Sequence, residues 1–310
     1  MNKYKYIYEV YKEKSFSKAA KKLYITQSAL SQYIKNIENE LKINLFDRSS
    51  KPIKPTDIGL IFIKHSKEIL EAENNLDKKI GDYVNLEIGN LKLGGTSFLI
   101  SKIYPKPMKK LVDQHPKIHI DLIEDKSDKL VKLVEDYEID LTYVSEDMTS
   151  DKFMSKLAFT DNILLAIPKL AIPNSFSKYQ LKKEEISCDE YSKNYKKLLN
   201  PSLLKDSKLN YIILKEGNNL YDLATYFLNK YELKVDKLLY VDQLLTSYHL
   251  TKAGLGASFV SSKIAKDDYK DDIGYFILDP NSCFRRFYSL VRRNKYTPFA
   301  CKKFMELLAQ

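Results

Sequence analysis

Ser28, Gln32, Lys35 and Asn39, with Ser31 on their flank, recur at steps of three and four along one stretch of this chain. At about 100° per residue they share one side of a helix, while Leu30, Ile34, Ile37 and Leu41 fall within about 60° of one another on the other. Hydroxyls and a carboxamide on an exposed helix face can hydrogen-bond base edges in a DNA major groove. There Gln suits adenine, hydroxyls tolerate several bases, and the Lys35 ammonium suits a phosphate. Just beyond, Arg48, Lys51 and Lys54 lie on a proline-pinned loop, LFDRSSKPIKPT. Cations placed there fit a wing that runs along phosphates or the minor groove.

Those side chains need elements to hold them. Tyr4, Ile7, Tyr8 and Tyr11 have helical spacing, which predicts a first amphipathic helix over residues 2–14. Ser17 is the expected N-cap of a second, with Phe16, Ala19, Ala20 and Leu23 inward, and Thr26 the N-cap of a third that runs to about Leu41. The turn at Tyr24–Thr26 completes a helix-turn-helix pattern. From Asp57 to Tyr83, Ile58, Phe62, His65, Ile69, Ala72, Leu76, Ile80 and Tyr83 form a narrow seam, the pattern of a helix paired with another helix. His65 on this seam is expected to be packed and hydrogen-bonded.

After Asn85 the pattern changes. LEIGNLKLGG reads as a strand, Phe98 to about His115 as a helix, IHIDLIED as a strand, Ser127–Tyr137 as a helix and IDLTYV as a strand. This rhythm predicts an α/β fold with a mostly parallel, doubly wound sheet and ligands at the carboxyl ends of its strands. A second cluster runs from about Lys169 to Ser262, and RFYSLVRR with PFACKKFMELL is expected to return to the first lobe. The Lys-, Ser- and Asn-rich stretch 174–208 is expected to form a polar helical insertion.

Charge distribution agrees with a polyanion partner. Of a net charge of +10, residues 1–56 hold twelve Lys/Arg against five Asp/Glu, so +7 sits in the first fifth of the chain. Cys188, Cys283 and Cys301 form no zinc-like spacing and read as reduced thiols. No segment approaches ~18 uninterrupted apolar residues and the N-terminus lacks a signal-like run, so a cytoplasmic location without a membrane partner is expected. His65, His115, His119 and His249 are scattered, with no P-loop or nucleophile elbow beside them. Pro116 separates His115 from His119, and Asp271 with Asp272 reads as a capping or solvated pair. No catalytic residue, cofactor or metal is expected, and the protein is not read as an enzyme.

The run SFSKAAKKLYITQSALSQYIKNIENELKINLFDR, the following PTDIG, the late KAGLGASFVSS and the terminal RRFYSLVRRN together resemble the LysR-type transcriptional regulators. The resemblance covers nearly the whole chain. It implies a winged helix-turn-helix over residues 1–57, a linker and dimerisation helix over 58–84, and a two-lobed effector domain, similar to periplasmic binding proteins, over 85–310. Lobe 1 would hold about 85–167 and 264–310, and lobe 2 about 168–263. By position, Thr26, Gln27, Ser28, Ser31, Gln32 and Lys35 would contact DNA, with Arg48 and Lys51 in the wing. Thr96, Ser97, Val144, Ser145, Gly217, Asn218 and Gln243 would face the effector. Double-stranded DNA, a small-molecule effector of anionic class, a second copy or a tetramer, and RNA polymerase are the partners implied. A solute-binding module without transcriptional role is the alternative, which leaves the basic N-terminal block idle. The chain departs from the family pattern at Ser28 (often proline), Gln32 (often basic), Lys42 (usually glycine) and Pro55 (usually leucine).

Overall fold

The computed structural model describes residues 3–83, 89–186, 197–269, 271–279, 281–293 and 295–309. Contacts divide the chain into two compact units, Met1–Leu86 and Glu87–Gln310. Cys188 and the first residues of the LEIG segment lie outside the described residues.

In the first unit, α1 (Lys3–Glu13), α2 (Phe16–Lys22) and α3 (Gln27–Leu41) precede a two-stranded wing, β1 (Phe46–Asp47) and β2 (Lys54–Pro55), and then α4 (Asp57–Tyr83). The core is Ile7, Val10, Phe16, Ala19, Ala20, Leu30, Ile34, Ile37, Leu45, Phe46 and Ile63. Ser15, not Ser17, caps α2: its extended backbone lets the hydroxyl accept from Lys18 N, and Phe16 already begins the helix. Lys22 bridges back to Glu9 and Glu13 of α1. Both α2 and α3 end in paired six-to-one and five-to-two backbone bonds. Ile25 N donates to Ala20 O and Tyr24 N to Lys21 O, and then Ile43 N to Glu38 O and Lys42 N to Asn39 O.

Each of these ends puts one residue in the left-handed region, Tyr24 at φ 55 and Lys42 at φ 55. A side chain there costs on the order of 1 kcal/mol that glycine avoids. Lys42→Gly is therefore expected to stabilise the first unit by about 0.5–1 kcal/mol. A raised melting temperature in a circular dichroism melt checks this, and an unchanged or lower one rules out strain at that turn.

Two inward assignments change. Leu41, expected on the apolar stripe, is 38% exposed because α3 ends there and the chain turns away, while Glu38 is buried instead. His65 is exposed and bonds Glu68 through Nδ1 at 3.0 Å, so it is not packed within this chain. The fully buried face of α4 is Gly59, Ile63 and Ser66, offset by one residue from the expected seam, while Phe62 of that seam packs partly buried against the core and stacks on Tyr4. A Cβ on Gly59 would lie 2.0 Å from Leu45 O, so this glycine permits the close approach of α4 to the wing.

In the second unit, β3 (Gly89–Gly95) pairs in parallel with β4 (Ile118–Glu124). A short helical turn over Leu99–Ile103 and α5 (Pro105–Gln114) replace the single helix expected from Phe98, because Pro105 restarts the helix at its own N-terminus. Next come α6 (Ser127–Glu135), β5 (Thr142–Val144) and β6 (Phe153–Pro168). They are followed by β7 (Tyr211–Leu214), α7 (Asn219–Lys230), β8 (Leu238–Val241), α8 (Leu244–Lys252) and β9 (Ala257–Ser261). The chain ends with α9 (Ser262–Asp267), β10 (Ile273–Phe276), β11 (Phe284–Arg292) and α10 (Phe299–Leu308). The larger sheet runs β5-β11-β6-β9-β7-β8, with β10 also on β6.

This sheet is mixed rather than mostly parallel: β6 pairs antiparallel with β9, β10 and β11, and β11 antiparallel with β5. The reason is topological. β6 runs through both lobes, and the return strand β11 must run against it. β10 sits opposite Leu165–Pro168, in the half of β6 that β9 also covers. Residues 264–277 therefore belong with the second lobe, and the return to the first begins near Phe284, later than residue 264. The described part of 174–208 is also not a polar helical insertion. It consists of short 3-10 turns that bury Phe176, Leu181, Leu199 and Leu204, with Leu181 N and Leu199 N bonded to Tyr275 O and Ile277 O.

Candidate nucleic-acid interface and effector cleft

Thr26 sets the start of α3. Its extended backbone and Oγ1, which accepts from Ala29 N at 3.2 Å, satisfy an otherwise orphan donor of the first turn. The same oxygen lies 3.2 Å from Ser28 Oγ. Thr26, Gln27, Ser28, Gln32 and Lys35 are all exposed, and Ser31 is half-buried. Gln32 Nε2 donates to Asn36 Oδ1 at 2.9 Å, which fixes which way the carboxamide points. Leu30, Ile34 and Ile37 are buried beneath this face, so the helix offers one polar side and no large apolar group on it.

The wing is built locally. Asp47 accepts from Ser49 N at 2.9 Å and Ser49 Oγ at 2.6 Å, bonds that hold its carboxyl below the usual carboxylate range. Lys54 N donates to Ser50 Oγ, and Thr56 Oγ1 donates to Asn44 O at 2.6 Å and accepts from Gly59 N at 3.0 Å. Lys51 and Lys54 stand exposed on the resulting loop.

Arg48 differs from them. Its Nη2 donates to Glu38 Oε2 at 2.8 Å, its Nη1 to Ser31 Oγ at 3.3 Å, and its guanidinium lies 5.3 Å from the Phe16 ring. Glu38 is 5% exposed, and its other oxygen accepts from Leu45 N at 2.8 Å and Phe46 N at 3.2 Å. One buried carboxylate thus ties the recognition helix to the first wing strand. Sequence patterning missed Glu38 and Asn36; the signal for Glu38 was an acid beside the apolar stripe.

In the second unit, Thr96 and Ser97 follow β3 as half-buried residues at the first helical turn. Gly94 and Gly95 clear the space behind them, since a Cβ would meet Ile139 Cδ1 at 2.4 Å and Tyr104 Cε2 at 2.7 Å. Gly217, at φ 87, and Asn218, whose side chain caps α7, follow β7. Gln243 is the N-cap residue of α8. Beside it, Asp242 pairs with Lys215 at 2.8 Å and with Lys126 of the first lobe at 3.8 Å. Val144 is buried with Leu130, Val134, Ile139, Phe153 and Leu290, so its side chain is core and not cleft.

A cavity of about 420 Å³ opens between the lobes, lined by Ser145, Glu146, Asp147, Leu220, Leu223, Ser282, Phe284, Arg285, Arg286 and Tyr288. Ser145 belongs to it; Thr96, Ser97, Gly217, Asn218 and Gln243 do not line it. Arg285 stands between the two regions, over the rings of Phe98 and Phe287 at 4.9 and 5.0 Å. Its charge is already matched, with Nε and Nη2 on Asp161 Oδ2 at 3.1 and 2.5 Å and Ser261 Oγ on Oδ1 at 2.6 Å. This triad sits where β6, β9 and β11 meet at the lobe boundary, and pattern reading missed it because the whole of β6 went unrecognised. Among the described residues no cluster of three His, Cys, Asp or Glu side chains is placed to hold a metal, and no helix is long and apolar enough to cross a membrane.

A winged helix-turn-helix with a hydrogen-bonding recognition face, joined in one chain to a two-lobed unit with a cleft, defines a DNA-binding transcriptional regulator with an effector-binding domain. Residues 1–60 match the model of bacterial regulatory helix-turn-helix proteins of the lysR family, and residues 85–173 and 196–310 match the LysR substrate binding domain. The chain belongs to the LysR family of transcriptional regulators. It is 24% identical over 304 residues, 97% of this chain and 91% of the relative, to the uncharacterised HTH-type transcriptional regulator YcgK of Bacillus subtilis (strain 168). A full-length OxyR variant from Pseudomonas aeruginosa has the same fold, with TM-score 0.70 at 19% identity over 99% of this chain and 92% of that one. So does full-length CbnR bound to its target DNA, with TM-score 0.61 at 16% identity over 98% and 97%. The domain match leaves out residues 174–195 of the 174–208 stretch.

Proposed function

We propose that the protein is a ligand-responsive regulator in which residues 1–57 read DNA, residues 58–84 pair two copies, and residues 85–310 bind the effector. The exposed polar face of α3 carries this reading, with Ser28, Ser31, Gln32 and Lys35 toward DNA, Thr26 and Gln27 at the helix start, and Lys51 in the wing. Gln32→Ala is expected to lower affinity for the selected site by about tenfold while leaving random-sequence binding nearly unchanged, since a lost base-edge contact removes roughly 1–3 kcal/mol of discrimination. Ser31→Ala acts in the same direction. A gel-shift titration of selected against random DNA decides it; equal discrimination in wild type and variants removes these residues from the reading face.

Exposed apolar side chains on α4 support pairing. Ile58, Leu60, Ile61, Leu76 and Ile80 are each between 42 and 58% exposed on a 27-residue helix. Sedimentation at micromolar concentration is expected to show a dimer or tetramer, and a monomer there would refute pairing through α4. Two copies then present α3 to successive major grooves, and regulation proceeds through RNA polymerase in the cytoplasm without catalysis.

The effector reads as a small molecule held between the lobes near Thr96, Ser97 and Ser145, with Gly217, Asn218 and Gln243 on the facing loops. An anionic group would find donors at Thr96, Ser97 and the helical turn they begin, because Arg285 is already paired with Asp161 and the cavity also carries Glu146 and Asp147. At the two described cysteines thiol chemistry is disfavoured as the signal: Cys283 and Cys301 are buried, and burial pushes the Cys283 thiol up to about 12.

A further inference from the structure

Arg48 sits on the wing, where a cation is ordinarily assigned to phosphate, yet two of its donors are directed inward. Nη2 is held by Glu38 at 2.8 Å and Nη1 reaches Ser31 Oγ at 3.3 Å. Glu38 cannot follow a moving arginine, because its remaining oxygen is engaged by Leu45 N and Phe46 N and the residue is 5% exposed. The direction of the guanidinium is therefore set from below by a fixed carboxylate. Above it, a serine on the reading face receives a charge-assisted hydrogen bond.

That bond decides what Ser31 can offer DNA. A serine hydroxyl has one hydrogen and two lone pairs, and in isolation it donates or accepts as its partner requires. With one lone pair occupied by a cationic donor, the oxygen is a poorer acceptor and its O–H a stronger donor. In the major groove the acceptors are guanine O6 and N7, adenine N7 and thymine O4, while cytosine N4 and adenine N6 are donors.

We propose that Arg48, held by Glu38, is a specificity-determining positioning residue. It presets Ser31 as a hydrogen-bond donor, so that the base facing Ser31 is selected for a major-groove acceptor. The proposal rests on the reading that α3 places Ser31 against a base edge. It assigns Arg48, itself 39% exposed, a different task from Lys51 and Lys54 on the same loop.

The test is selection of binding sites from a random double-stranded DNA pool by the full-length protein, comparing wild type, Ser31→Ala, Arg48→Lys and the double variant. Lysine keeps the charge and can still pair with Glu38, but a single ammonium does not reproduce the planar fork that spans Glu38 and Ser31. Arg48→Lys and Ser31→Ala are expected to relax the same single column of the selected motif, by about fivefold or more, and the double variant no further than either. The slope of log affinity against log salt is expected to stay at the wild-type value in Arg48→Lys. In Arg48→Gln, which removes the charge, a slope lowered by about one would mark a phosphate contact and overturn the proposal. An Arg48→Lys motif identical to wild type overturns it too. A Ser31→Ala motif unchanged in every column is a separate failure, because it removes Ser31 from the bases and the proposal falls with that reading. Matched circular dichroism melts for Ser31→Ala, an unintrusive surface change, keep the comparison interpretable if an Arg48 variant unfolds.

Discussion

Asp161→Ala is expected to remove about 3–5 kcal/mol from the stability of the second unit, because it strands a charge whose partner is gone. Asp161 is fully buried and Arg285 only 10% exposed, so the guanidinium left behind has little water to turn to. Ser261 also loses the acceptor for its hydroxyl. For a unit of this size that loss corresponds to roughly 10 °C in melting temperature. Scanning calorimetry of the full-length protein reads it as a shift of one transition while the other stays in place. A shift under about 2 °C would mean that the triad is not what closes the lobe boundary. Replacing both partners with apolar residues, Asp161→Leu with Arg285→Met, is expected to recover much of the loss, since no buried charge then remains unpaired. The recovered variant gives a second readout: it keeps the sheet but loses the polar joint between β6, β9 and β11, so its response to an effector reports whether that joint matters for regulation.

The second large effect is expected at Glu38, a residue whose side chain faces the protein interior. Glu38→Ala removes the acceptor of two backbone N–H groups and of Arg48 at once, and each buried donor left unmatched costs about 1–3 kcal/mol. A total of about 3 kcal/mol is a large share of what a small domain possesses. The transition of the first unit should therefore fall by more than 10 °C, at 4–8 °C per kcal/mol for a domain of roughly this length. DNA binding should fall with it even though the residue faces the wing and not the groove. Glu38→Gln is the milder control. It keeps a carbonyl for the two backbone donors but loses the ion pair, so it should lie between wild type and Glu38→Ala in the same calorimetric scan. Wild-type melting and wild-type gel-shift affinity in Glu38→Ala would remove the carboxylate from any role in joining helix and wing.

How much of this was legible in the residues depended on distance along the chain. Thr26 was readable as a cap because the donor it satisfies lies three residues away. The outward row of Ser28, Gln32 and Lys35 was readable because a helix repeats every 3.6 residues. Ser17 was read as the cap because it precedes Ala19, Ala20 and Leu23, whereas the extended backbone and hydroxyl bond of Ser15 start the helix at Phe16. Leu41 fits the stripe by angle and fails by position, as the left-handed turn at Lys42 ends the helix beneath it. The long strand β6 escaped notice because its first half is only partly buried and its second half is buried on both faces, so neither half alternates cleanly. Of the pocket residues named by resemblance, Ser145 lines the cavity, Thr96, Ser97, Gly217, Asn218 and Gln243 do not, and Val144 proved to be core. A strand-end position does not say which face its side chain takes.

By itself, then, the sequence determined the DNA-reading module: helix periods, caps, the proline-bound wing and the basic charge around them all act over a few residues. Tertiary structure alone decided which polar groups lock that module and, in the second unit, the larger sheet. Ser31 and Arg48 meet across 17 residues, Asp161 and Ser261 across 100, and Asp161 and Arg285 across 124. No local propensity encodes such pairs. They form only when strand register and helix packing bring separated backbones together, and burial then makes each charge depend on the partner it finds. The polar face from Ser28 to Lys35 was visible in the residue pattern, whereas the contact between Arg48 and one of its hydroxyls became visible only in the fold.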